Sequence, residues 1–169
     1  MKKESTITTK KLVLAALMAA LTVVGSAIRI QMPISVGGTT AFHLGNIFCA
    51  LSGLLLGPWL GGLAAGLGSA LYDAFHGYDV INIPITFVSK FMMAWVCARV
   101  LWSRDTRNEG FVRAIVAAVC GALTYVALYM LKTFIYQAFV YGYPMNTVWA
   151  PMLSKFIHSI INAGVAIVA

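Results

Sequence analysis

Residues 41–75 read AFHLGNIFCALSGLLLGPWLGGLAAGLGSALYDAF, and this stretch decides the fold. From His43 to Tyr72 no Asp, Glu, Lys or Arg interrupts the run, yet Gly57-Pro58 breaks it in the middle. Each half is short for a membrane span, which normally takes ~20 residues. Gly62, Gly66, Ser69 with Ala70, and Asp73 follow steps of three or four residues, so they share one side of a helix. In lipid such a small-residue stripe lets two backbones approach closely, because van der Waals packing drives helix association there. The stretch therefore predicts two short, closely packed helices joined by a tight turn. His43, Asn46 and Asp73 stand at their outer ends.

Composition extends that reading to the whole chain. Of the 169 residues, 60% are hydrophobic and only 10% charged, with a mean hydropathy of +0.86. Soluble domains carry ~25% charged residues. The expectation is a single all-α integral membrane domain over residues 1–169, with no room for a separate soluble catalytic domain. Cys49, Cys97 and Cys120 all lie in apolar runs, without CxxC spacing or a nearby histidine pattern. They read as small buried hydrophobes, and no metal is expected. The polar, basic start at Met1–Lys11 precedes an apolar run too long for the core of a cleavable signal, so that run reads as a retained first span.

Six apolar runs emerge, at 12–30, 43–56, 60–75, 83–102, 111–140 and 148–168, separated by Pro, Gly, Asn or charge. Lys2, Lys3, Lys10 and Lys11 precede the first, while Arg99, Arg104, Arg107 and Arg113 flank the link between the fourth and fifth. An even number of spans puts both basic clusters on one side, as the positive-inside rule requires. The expected architecture is thus a six-transmembrane-helix bundle with both termini cytoplasmic and short helices 2 and 3. Segments 31–42, 76–82 and 141–147 become outer loops. The net charge of +7 follows from this topology, and no nucleic-acid partner is expected.

An ionisable residue deep in a span is costly and needs a reason. Lys90 stands eight residues beyond Asn82, roughly 12 Å below the outer surface at the helical rise. Asn82, Thr86 and Lys90 share a face, and Lys155, His158 and Asn162 form a similar stripe in the last run, with Lys155 at comparable depth. Lys132 and Gln137 occupy the outer third of the fifth run. If these helices face one another they enclose a polar cavity open outward, walled by Tyr136, Tyr141, Tyr143, Trp149, Trp95 and Phe87. Plainer roles compete with this one. Lys132 can snorkel to the interface, Lys90 and Lys155 can pair with Asp73 or Asp79, and His158 can be a packing histidine. His43 and Asn46 either cap the second helix or close the cavity. Span-end Tyr and Trp often form only an interfacial belt.

Enzyme chemistry finds no support. GxSxG, HExxH and GxxxxGK[ST] are all absent, and Asp73 is the sole intramembrane carboxylate. A stand-alone proton-coupled secondary carrier using Asp73 or His158 stays open. Two further patterns are present. Ala15 with Ala19, and Ala16 with Ala20, repeat at four residues in the first run, giving either internal packing or a flat docking face. Ser89-Lys90-Phe91 recurs as Ser154-Lys155-Phe156, a faint internal echo.

Taken together, the six spans, the basic N-terminus, the AxxxA pattern, the hairpin HLGN…LLLGPWLGGLAAGLGSALYD and the following PITFVSKF resemble the S component of energy-coupling factor (ECF) vitamin transporters. That resemblance covers essentially the whole chain. It implies a protein that binds a water-soluble vitamin or precursor from outside, carries no cofactor and has no ATPase of its own. Such a protein docks on a transmembrane coupling subunit with two cytoplasmic ATPases, which use the ATP, and topples in the bilayer to release its cargo inward. It also implies a multi-pass protein of a prokaryotic plasma membrane. The docking face would map onto Ala15, Ala16, Ala19 and Ala20. The pocket would map onto Asn82, Thr86, Lys90, Lys132, Tyr136, Trp149, Lys155, His158 and Asn162, with His43 as a further candidate. Buried lysines favour a ligand with negative charge or several acceptors, which fits pantothenate first. The aromatic residues suit a flat ring such as riboflavin, a pyridoxine-type ring or a hydroxymethylpyrimidine.

Overall fold

The computed structural model describes residues 8–34, 38–102, 111–140, 142 and 144–168. Six α-helices run in the order α1 (Thr9–Ala27), α2 (Gly45–Leu56), α3 (Pro58–Phe75), α4 (Asn82–Trp102), α5 (Phe111–Ile135) and α6 (Met145–Val168). A π-helical turn, Tyr136–Val140, extends α5. Lys2, Lys3, Arg104 and Arg107 of the basic clusters lie outside the described residues, as do Tyr141 and Tyr143.

The break at Gly57-Pro58 is a tight corner. Gly57 has φ +83°, a conformation that only glycine adopts without strain, and its N–H donates to the Gly53 carbonyl at 3.1 Å. Pro58 then opens α3 at the first helical position, where its missing N–H costs nothing and its fixed φ suits the helix. The corner lets α3 continue as an 18-residue helix, about 27 Å long at the helical rise. Only α2, with 12 residues, is short.

Close approach explains the glycines on both sides of that corner. A Cβ on Gly53 would stand 2.3 Å from the Ala94 carbonyl oxygen of α4, and one on Gly61 would stand 2.4 Å from that of Ser52. Further along α3, Gly62 and Gly66 receive the rings of Phe91 and Phe87 from α4, and a Cβ on Gly68 would stand 2.5 Å from the Ala19 carbonyl oxygen of α1. Consequently α3 packs against α1, α2 and α4 at once. The core shared by α2, α3, α4 and α5 is made mostly of small side chains and thiols: Cys49, Ala50, Ala65, Met93, Ala94, Cys97, Leu101 and Ala117. Serine and threonine hydroxyls in these helices are satisfied by nearby carbonyls, as with Ser52 to Cys49 and Gly61, and Ser89 to Ile85.

Large apolar residues point the other way. Leu12, Trp59, Leu67, Val88, Val112, Leu123, Leu131 and Leu153 are all exposed. A surface of this kind belongs against lipid rather than water. The helices α1, α4 and α5 are each long and apolar enough to cross a membrane.

One departure from the expected outer loops is a β-hairpin. Strands β1 (Arg29–Ile34) and β2 (Gly38–His43) pair antiparallel, with Arg29 opposite His43 and Ile34 opposite Gly38. Residues 29–34, RIQMPI, alternate polar or Pro with apolar, the period of a strand, and Thr39-Thr40 is β-branched in the partner. Pro33 is tolerated because both strands are edges. The hairpin joins the end of α1 to the start of α2.

Candidate functional site

A cavity of about 280 Å³ opens where α1, α3 and α5 finish and α4 begins, beside the second half of α6. Each helix lines it with residues at helical spacing. These are Ser69, Tyr72 and Asp73 from α3; Asn82, Thr86 and Lys90 from α4; Tyr125, Tyr129 and Lys132 from α5; and Ser159 and Asn162 from α6. Ser26 ends α1, Arg29 and His43 come from the base of the hairpin, and Tyr78 comes from the α3–α4 link. Together these side chains make a polar funnel inside an apolar bundle.

Lys90 forms the floor. It is 4% exposed, its Nζ donates to Asn46 Oδ1, and it lies 3.7 Å from the centre of the Tyr125 ring. A buried ammonium needs such partners, since leaving it unpaired forfeits its hydration. Asn46 of α2 and an aromatic face are thus its close partners. Asn46 itself is fully enclosed, so it anchors the lysine instead of capping α2.

The rim is built differently. Arg29 donates to the Tyr78 hydroxyl and lies 5.5 Å from the Tyr72 ring centre. Tyr72 is stacked on His76, with ring centres 4.0 Å apart. This clasp ties the hairpin to the α3–α4 link. On the opposite side, the His43 N–H donates to Asn162 Oδ1 at 3.4 Å, tying β2 to α6. Burial, with the charges of Lys90 and Arg29 nearby, pushes the His43 imidazole down to about 3, so it is neutral at physiological pH. Its Nδ1 and the Tyr72 hydroxyl are buried with no hydrogen-bond partner among the described residues.

Of the residues singled out in the sequence, His43, Asn82, Thr86, Lys90, Lys132 and Asn162 line the cavity together. Lys155, His158, Tyr136 and Trp149 are not among its lining residues. On α6 the stripe that faces inward is Ser159 and Asn162, one residue round from the expected one. Lys155 is half-buried, the His158 imidazole lies 2.7 Å from the Ser154 carbonyl of its own helix, and Trp149 is 66% exposed. Lys132 sits 5.8 Å from the Tyr136 ring centre. Sequence reasoning passed over Arg29, Tyr72, Tyr78, Tyr125, Tyr129, Ser26, Ser69 and Ser159. The spacing Tyr125, Tyr129, Lys132 was a visible signal. The arginine that ends an otherwise apolar run was another.

The AxxxA pattern of α1 divides between two faces. Ala19 is half-buried against Gly68 of α3, and Ala15 is also half-buried. Ala16 and Ala20 are exposed beside Leu12, Val13, Leu17 and Val24, which are exposed as well.

An apolar bundle around a polar cavity has the form of a membrane-embedded small-molecule-binding protein. A family model described as "ECF-type riboflavin transporter, S component" matches residues 6–169, and the chain belongs to this family. S components are the substrate-binding subunits of transporters, not enzymes, and work with the membrane ECF module. The chain is also 29% identical over 118 residues to a Pyrococcus woesei protein described as "Uncharacterized protein in gap 3'region", a match covering 69% of this chain and 72% of that one.

Proposed function

We propose that this S component captures riboflavin from outside a prokaryotic cell and passes it inward once docked on its coupling subunit, where two partner ATPases supply the energy. The observation that carries this reading is the lining of the cavity, in which Tyr72, Tyr78, Tyr125 and Tyr129 stand among hydrogen-bonding groups from four helices. Ring stacking between aromatic planes gains energy at offset geometry. A flavin ring system offers a flat face, carbonyl acceptors and an imide N–H, and its side chain offers hydroxyls. Lys90, Asn82 and Asn162 supply donors for the acceptors, while Asp73 supplies an acceptor for the donors. Pantothenate would use the cations but leave the tyrosines without a ring. The family description supports the same choice. All six helices cross the bilayer in this reading, with both termini cytoplasmic and the cavity outward. The exposed Ala16 and Ala20 offer the docking face, and the weakly charged bundle topples at low cost. No cofactor is bound by this chain, and the ATP is consumed by its partners.

The test is a titration of the purified protein in detergent with riboflavin, pantothenate, pyridoxine and a hydroxymethylpyrimidine. Stoichiometric quenching of riboflavin fluorescence, with no heat of binding from the other three, is the expected outcome. Binding of pantothenate without riboflavin would overturn the proposal. Accumulation by the chain alone in liposomes would point to the stand-alone carrier instead.

A further inference from the structure

Among the described residues, Asp73 is the only carboxylate that lines the cavity. It stands on α3 beside Tyr72, with the Thr86 hydroxyl of α4 next to it and within electrostatic reach of Lys132, Lys90 and Arg29. Those cations come from three different elements, α5, α4 and β1. Two of them are also engaged elsewhere: Lys90 by Asn46 and the Tyr125 ring, and Arg29 by the Tyr78 hydroxyl. Asp73 is thus the single negative pole of an otherwise cationic and neutral funnel.

An ionised carboxylate only accepts hydrogen bonds. A ligand hydroxyl or imide N–H satisfies it, and a hydrogen bond to a charged group is about twice as strong as a neutral one. A phosphate ester of the same ligand brings close to two negative charges into the space that Asp73 already occupies, where like charges repel more strongly than in water. The three cations raise affinity for any acceptor-rich ligand, whether esterified or not. The carboxylate alone separates the two.

We infer that Asp73 is the specificity-determining residue that makes this cavity take an uncharged, hydroxyl- and imide-bearing flavin in preference to its phosphate ester. The inference rests on the flavin reading above.

The isosteric Asp73→Asn variant provides the test, measured by equilibrium dialysis against riboflavin and flavin mononucleotide. Asp79→Asn, which removes the same charge from the exposed α3–α4 link, is the control. The unmodified protein should bind riboflavin more tightly than the mononucleotide. In Asp73→Asn, riboflavin affinity should fall about tenfold, the loss expected for a hydrogen bond to a charged group, while mononucleotide affinity holds or rises. Asp79→Asn should leave the ratio in place. Parallel loss of both affinities in Asp73→Asn, or an unmoved ratio, would overturn the inference and leave the flavin reading standing. An unmodified protein that binds neither flavin would overturn the flavin reading itself, and the inference with it.

Discussion

Two copies of one tripeptide show how packing assigns roles. Ser89-Lys90-Phe91 on α4 and Ser154-Lys155-Phe156 on α6 are identical in sequence. On α4 the serine is buried and donates to Ile85, the lysine is sealed between Asn46 and Tyr125, and the Phe ring fills the space above Gly62. On α6 the lysine is half-buried and Phe156 is 42% exposed. The difference lies in the neighbours. α4 is gripped by α3, whose glycines admit its rings and backbone, and by α2 and α5 as well. α6 leans chiefly on α5, and a Cβ on its Gly164 would meet nothing within 4 Å. A lysine becomes a floor only where a helix is enclosed on several sides.

The sharpest way to break this contrast is through the glycines. Gly53→Ala drives a methyl into the Ala94 carbonyl and should destabilise the protein by roughly 3 kcal/mol, the upper range for overpacking. Gly164→Ala, in open space, should be neutral or stabilise by ~1 kcal/mol through helix propensity. Thermal unfolding in detergent checks both, and equal shifts would deny that the two halves differ. Within α1 the same logic separates the two alanine pairs. Ala19→Leu, against Gly68, should lower stability by roughly 1–3 kcal/mol. Ala16→Leu, on the exposed face, should leave stability and riboflavin affinity unchanged while weakening co-purification with the coupling subunit. Loss of ligand affinity in Ala16→Leu would refute that division.

The smallest expected effect concerns pH. Burial and two neighbouring cations hold the His43 imidazole at about 3, below the usual ~6.5. A lowered value means that the neutral form prevails above it, so His43 takes up no proton between about pH 5 and 8, where an ordinary histidine would titrate. Riboflavin affinity across that window should therefore be the same in His43→Gln as in the unmodified protein, apart from a constant offset. A step near pH 6 that disappears in His43→Gln would contradict the buried, neutral imidazole.

The helices were legible because lipid leaves few alternatives. A span must be apolar along its length, and its ends are marked by Gly57-Pro58, Asn82 and the charges around 103–110. The face of α4 was legible too, since Asn82, Thr86 and Lys90 recur once per turn in an apolar helix. The face of α6 was not. Lys155, His158 and Asn162 fit a stripe as well as Ser159 and Asn162 do, and the choice depends on how α6 rolls against α5, which its own sequence leaves open. Arg29 was hidden for another reason: its partners Tyr72 and Tyr78 are more than forty residues away, brought close only by the hairpin. The hairpin was written in the alternation of RIQMPI, but in a segment whose lack of a helical period reads first as loop.

The central claim is that the cavity floored by Lys90, and not the matching position on α6, receives the ligand. Riboflavin affinity measured side by side for Lys90→Ala and Lys155→Ala tests it most directly. Lys90→Ala strips Asn46 and Tyr125 of their partner and should weaken binding by about a hundredfold, the range for breaking a buried charged hydrogen bond. Lys155→Ala should change it by less than about threefold, as expected of a partly solvated lysine. Comparable losses in the two variants, or a larger one in Lys155→Ala, would put the ligand elsewhere in the bundle.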